Sequence, residues 1–282
     1  MKMIKNSTLS FGEVHLIQYF ILIFVFAIPF WVLGFLVSSG LLAGLGIPTN
    51  IPISALMFVV PMCVASILVY KENKINGVKQ LLKRAFDYNR TKKHKIWYLP
   101  ALLLMPIIAV LVYITMRLIG LPLPTPYIPF LLIPIFLFIF YFSAVGEEIG
   151  WSGYAIDPMQ NRWGALKASI ILGLVWATWH VLPFIQTNNT PSWIVWQFVE
   201  TVALRVIIVW VFNNSGKSVF MASLVHDTYN TSTFLFPNYG SNYNPQITAI
   251  FFIATAIIAV LLWGSKTLAQ FKIPHIIKYL HH

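Results

Sequence analysis

The sequence predicts an all-α fold: a polytopic bundle of about eight transmembrane helices, read as one membrane domain over 1–282. Three observations predict it. The chain is 58% hydrophobic and 10% charged, where a soluble domain carries about 25% charged residues, and its mean hydropathy is +0.76. Apolar runs recur that approach the roughly 20 residues needed to cross a hydrocarbon core. Cations gather in alternate connections between those runs, and no series of alternating ~10-residue segments argues for a barrel.

The runs place spans at about 14–37, 51–70, 98–118, 127–147, 166–185, 193–212, 217–237 and 246–263. The first is too long, and too polar after its end, for a cleaved signal peptide, and no small-residue cleavage pattern follows it. Gly and Pro punctuate the connections at Gly46-Ile47-Pro48, Leu121 to Pro126 and Asn238 to Pro245. A net charge of +11 raises nucleic acid as a partner, but its distribution argues against one. Nine cations fall between Lys71 and Lys95, read as a single basic loop, with others at Lys2, Lys5, Arg162, Lys167, Lys217, Lys266, Lys272 and Lys278. The alternate loops 41–50, 119–126, 186–192 and 238–245 hold no Lys or Arg. Eight spans with both termini cytoplasmic put every cationic segment inside, so the charge is a topology signal and a contact for the lipid bilayer. Cys63 lies within the second span, reads as a small apolar residue and has no intrachain disulfide partner. The terminal His281-His282 is too short for a tag or a metal site.

Against this apolar background a few polar residues sit at membrane depth, where ionisable groups mark a cavity, an ion path or a reaction centre. The fourth span ends in Gly146-Glu147-Glu148-Ile149-Gly150-Trp151-Ser152. Adjacent helix residues point about 100° apart, so the glutamates have separate roles: one faces a cavity, the other a donor to its side. The fifth span carries Trp176-Ala177-Thr178-Trp179-His180, and the seventh His226-Asp227-Thr228-Tyr229-Asn230. His226 and Asn230 are four apart and share a helix face, whereas Asp227 points elsewhere. In the sixth span Glu200 and Arg205 lie on different faces, and each is expected to hold a neighbouring helix.

Two chemistries fit these residue types. A carboxylate and a histidine can take a proton from water and return it to a leaving amine, while the His226/Asn230 face supplies donors to a developing oxyanion. Alternatively, Glu147, His180 and His226 can hold Zn²⁺, which takes N and O ligands and keeps a position for water. A shared interhelical hydrogen-bond pair is the structural alternative for His226 and Asn230.

The three motifs resemble those of the CAAX protease and bacteriocin-processing family, also called Abi, which includes the type II CAAX prenyl endopeptidases. Its pattern is Glu-Glu-x-x-x-Arg, then Phe-x-x-x-His, then His-x-x-x-Asn or a small alternative to the Asn, on successive spans. The resemblance covers about 140 to 240, within a motif-bearing core of about 127–240, and the stretch from Arg205 to Ser218 is also similar. It implies a polar cavity in the C-terminal half. It further implies an intramembrane endopeptidase in which Glu147 is the general base acting with His180. His226 and Asn230 hold the oxyanion, and Glu148 and Arg205 support. The implied partners are the bilayer and a membrane-associated peptide or protein, in a multi-pass protein of a bacterial plasma membrane. The rival reading is a non-catalytic bacteriocin self-immunity or peptide-binding scaffold protein.

Two departures stand out. Ser152 replaces the motif Arg, and a hydroxyl cannot supply the charge of a guanidinium; Arg205 and Arg162 are the candidates to replace it in space. Trp176 replaces the motif Phe, a swap expected to be mild because both present a flat apolar wall. With the span limits above, Glu147 sits at the end of its span while His180 lies roughly 22 Å into its own. The two meet only if the fourth helix continues through Glu147 towards residue 157, or the fifth starts later.

Overall fold

Each of the eight apolar stretches is helical in the computed structural model, which describes residues 16–45, 52–126, 128–187 and 189–270. The helices are α1 (Leu16–Ser38), α2 (Val60–Lys83), α3 (Tyr98–Leu118), α4 (Ile133–Gly150), α5 (Ile156–Trp163), α6 (Ala165–Gln186), α7 (Pro191–Asn214), α8 (Val219–Leu235) and α9 (Pro245–Trp263). Among the described residues there is no strand. Lys2, Lys5, Lys272, Lys278, His281-His282 and the turn at Gly46-Ile47-Pro48 lie outside them.

Local chemistry sets the helix ends. Pro191 and Pro245 open α7 and α9 at positions that have no use for an amide hydrogen. Thr190, Ser218 and Asn244 cap α7, α8 and α9, accepting from the amides of Trp193, Met221 and Ile247 at 3.2, 3.3 and 3.1 Å. Gly164 closes α5 in the left-handed region with φ 77°.

Among the described residues, seven helical segments are long and apolar enough to cross a membrane. The seventh span of the sequence reading, α8, is not among them: it has 17 residues and carries His226 and Asp227. It tolerates them because it packs against α3, α4 and α7 rather than facing lipid. α7 is likewise central, wedged among α6, α8 and α9. Large apolar side chains on α1, α3 and α4 point outward, as Ile17, Leu103 and Phe138 do, which is the surface a helix presents to hydrocarbon.

Two boundaries differ from expectation. The basic segment is not a loop: α2 continues to Lys83, with a break at Lys74 where φ is 51°, and short 3₁₀ turns carry the chain on to Trp97. In this helical extension Lys71, Lys74, Lys79 and Lys83 are exposed and Leu81 is buried. The fourth span does not end at 147 either. α4 runs into a π-helical turn, Trp151–Ala155, and then into α5. The Gly153 carbonyl, within this π turn, accepts from Arg84 Nη1 at 2.5 Å.

This continuation removes the depth conflict. Counting back from Trp163, Glu147 lies roughly 24 Å along its helix; counting forward from Ala165, His180 lies roughly 22 Å along α6. α4 also approaches its neighbours unusually closely. A Cβ on Gly150 would lie 2.3 Å from Tyr19 Oη and 2.6 Å from the Pro61 backbone, and one on Gly146 would lie 2.8 Å from the Phe58 carbonyl. Small residues one turn apart let helix backbones meet in this way, and they seat the two glutamates inside the bundle.

Candidate active site

Glu147 and Glu148 diverge as their 100° spacing requires. Glu147 is 5% exposed and accepts at Oε2 from two indoles, Trp176 Nε1 at 2.6 Å and Trp151 Nε1 at 3.3 Å. Glu148 is fully buried. Its Oε2 accepts from Arg205 Nη1 at 2.9 Å and from the Ser152 hydroxyl, and its Oε1 lies 3.1 Å from His226 Nδ1.

Arg205 thus supplies the charge that Ser152 lacks. It comes from α7 with no exposed surface and stacks its guanidinium 4.1 Å from the Trp176 ring centroid. Arg162 does not serve this purpose; it lies over Trp163, outside this cluster. Glu200 accepts from the hydroxyl of Tyr243, in the connection between α8 and α9. Arg205 reaches a neighbouring helix as expected, through Glu148 on α4, whereas the partner of Glu200 stands in a connection rather than on a helix.

Trp176 is more than a wall. One face carries Arg205, the ring meets His226 at 5.1 Å and His180 at 5.7 Å, and its N–H reaches Glu147. A phenylalanine could do everything here except donate, so the swap from the family's Phe is not mild.

Both histidines are oriented through Nδ1. His180 Nδ1 lies 3.0 Å from the Trp176 carbonyl; a carbonyl only accepts, so this nitrogen carries the hydrogen and Nε2 is free. His180 is further fixed by Phe184, stacked at 5.7 Å with 22° between the rings. His226 Nδ1 faces the Glu148 carboxylate, which leaves its Nε2 free as well.

Glu147, His180, His226 and Asn230 line one cavity of about 490 Å³. Gln197, Thr201, Tyr229 and Tyr243 add polar groups, and Phe140, Phe184, Trp193 and Phe234 supply aromatic surface. The cavity is not built by the C-terminal half alone, since Pro52, Ser54, Ala55 and Met57 also line it. Asp227 lies off this wall and accepts from Thr231 Oγ1 at 3.2 Å.

The sequence reading missed Trp151 as a partner of Glu147 and Ser152 as a partner of Glu148. Both stand four residues after their carboxylate, a helical spacing that signals contact. Gln197, whose Nε2 donates to Tyr229 Oη at 2.9 Å, carried no such signal. For Zn²⁺, the donor types Glu147, His180 and His226 suit the ion. Among the described residues, however, no three His, Cys, Asp or Glu side chains are gathered as one metal ion requires.

Residues 129–232 match the family model described as Type II CAAX prenyl endopeptidase Rce1-like. The chain is 30% identical over 131 residues to CAAX prenyl protease 2 of Methanococcus maripaludis, a match covering 43% of this chain and 48% of that relative. It therefore spans about half the length of that curated relative. The matched segment contains all three motifs and ends just beyond Asn230. Over this segment the chain is similar to type II CAAX prenyl endopeptidases, and its apolar helices support a multi-pass membrane protein.

Proposed function

We propose that the protein is an intramembrane endopeptidase that hydrolyses membrane-associated peptides with water activated by Glu147 and His180. One observation carries this reading: Glu147 is held by two neutral donors and no cation while facing the same cavity as His180, His226 and Asn230. Among the described residues no direct bond joins Glu147 to His180, which suits a water between them.

In the proposed reaction, water attacks the scissile carbonyl carbon and passes a proton to Glu147. The tetrahedral oxyanion accepts hydrogen bonds from the Asn230 amide and from His226 Nε2. The Glu147 proton then moves to the leaving amine, directly or through His180 Nε2, as the C–N bond breaks. No step uses a metal.

The aromatic lining suits an extended peptide with large apolar side chains, because a helical peptide bond keeps its carbonyl engaged. The non-catalytic reading calls for Glu147 locked to a cation and no cavity, and neither feature is found among the described residues. The test is cleavage of membrane-delivered peptide precursors and C-terminally prenylated peptides by wild type, Glu147→Ala and His180→Ala, with and without a chelator. Cleavage lost in both variants and retained with chelator supports the proposal. Cleavage surviving Glu147→Ala contradicts it, and loss to chelator alone assigns the water to a metal.

A further inference from the structure

A second hollow lies at the basic end of the bundle, where the α5–α6 turn meets the segment after α9. Its volume is about 930 Å³, and its walls include Arg162, Lys167, Lys266 and Trp163. None of its lining residues is acidic. The ion pairs among the described residues involve none of these three cations, and Arg162 lies 5.3 Å from the Trp163 ring centroid. The first α6 amides are not available to a ligand. Ala165 N–H donates to the Lys266 carbonyl at 2.8 Å and Leu166 N–H to the Ser265 carbonyl at 3.0 Å. Anion recognition here therefore falls to the side chains.

The hollow does not end at the polar surface. Leu166 and Ile170 belong both to it and to an adjoining groove of about 470 Å³ between α6, α7 and α9. That groove is lined only by apolar residues, from Leu166 to Leu174 along α6 and from Leu261 to Ile253 along α9. Eight residues of helix give it a length of roughly 12 Å along the helix axis. A cationic pocket at the interface, a tryptophan beside it and an apolar channel running inward match the three parts of one amphiphile.

We propose that this composite site binds a single anionic glycerophospholipid. Its phosphate sits among Arg162, Lys167 and Lys266, its glycerol against Trp163, and one acyl chain in the α6–α7–α9 groove. Charge complementarity selects an anionic headgroup, and the groove selects a lipid over a soluble phosphate ester. The inference stands apart from the proposed catalytic reading.

The test titrates the full chain in neutral detergent with phosphatidylglycerol, phosphatidylcholine and glycerol 3-phosphate, reading bound ligand by native mass spectrometry. Wild type is expected to take one phosphatidylglycerol at least tenfold more tightly than phosphatidylcholine. Removing three interfacial cations in Arg162→Gln/Lys167→Gln/Lys266→Gln should weaken phosphatidylglycerol roughly a hundredfold. Ile257 is outward-facing in the groove, and Ile257→Trp should weaken both lipids. The control Lys79→Gln/Lys92→Gln/Lys93→Gln should change neither by more than about threefold. Equal loss in the control variant, no preference for the anionic lipid, or glycerol 3-phosphate binding as tightly as the lipid would each overturn the proposal.

Discussion

Trp176 Nε1 donates to Glu147 Oε2 at 2.6 Å, linking α6 to α4 at the depth of the cavity. The same indole carries Arg205 on its face, and Arg205 in turn holds Glu148. One side chain therefore sets the rotamer of one glutamate directly and the position of the other through a guanidinium.

The Trp176→Phe variant separates these two jobs. It retains an aromatic face for Arg205 and loses the hydrogen bond to Glu147. A hydrogen bond to a charged group is worth about 1.5–3 kcal/mol. Turnover of a cleaved peptide should therefore fall roughly ten- to hundredfold with KM little changed. Thermal stability in detergent should change less than for Trp176→Ala.

Arg205 behaves differently because it balances a fully buried carboxylate. Arg205→Met leaves Glu148 without its cation, and breaking a buried pair from one side costs about 3–5 kcal/mol. The variant should show a clear drop in thermal midpoint. The double variant Arg205→Met/Glu148→Gln should recover part of that loss, a non-additivity expected only if the two residues interact. Arg205→Lys should not restore stability fully, because an ammonium does not reproduce the stacked guanidinium.

Ser152 offers a direct check on how the motif Arg is replaced. It is 1% exposed and donates to Glu148 beside Arg205. Ser152→Arg therefore forces a second guanidinium into filled, buried space and should destabilise rather than activate. Combining it with Arg205→Ala should recover stability, read by thermal unfolding. If Ser152→Arg alone raised both stability and turnover, the replacement by Arg205 would be wrong.

Gly150 makes a packing prediction. A methyl group there would meet Tyr19 Oη and the Pro61 backbone, and overpacking of this kind costs about 1–3 kcal/mol. Gly150→Ala should lower the thermal midpoint, and Tyr19→Phe, which removes the hydroxyl, should relieve only part of the loss because the Pro61 backbone cannot withdraw.

These relationships also show what the sequence could and could not disclose. Span positions were legible because apolar length and alternate-loop charge follow directly from bilayer physics. The divergence of Glu147 and Glu148 was legible from helical geometry alone. Where α4 ends was not, because a π turn through Trp151–Ala155 leaves no composition signal. Arg205 was recognisable as a buried cation in need of a partner. Its pairing with Glu148, 57 residues earlier, depends on the long-range arrangement of the bundle that brings the Arg205 side chain from α7 to α4. The donor role of Trp176 was hidden for another reason: an aromatic residue in a membrane helix reads as packing, and its N–H matters only once Glu147 is seen opposite it.

The most direct test of the central claim is single-turnover hydrolysis of a cleaved peptide by wild type and Glu147→Gln, both in nanodiscs. Glutamine preserves an acceptor oxygen for the Trp176 and Trp151 donors but cannot take a proton, so the fold is kept while the base is removed. General-base catalysis contributes about 10²–10⁴ in rate, and the account predicts a loss in that range with substrate binding retained. A Glu147→Gln rate within about threefold of wild type would contradict it.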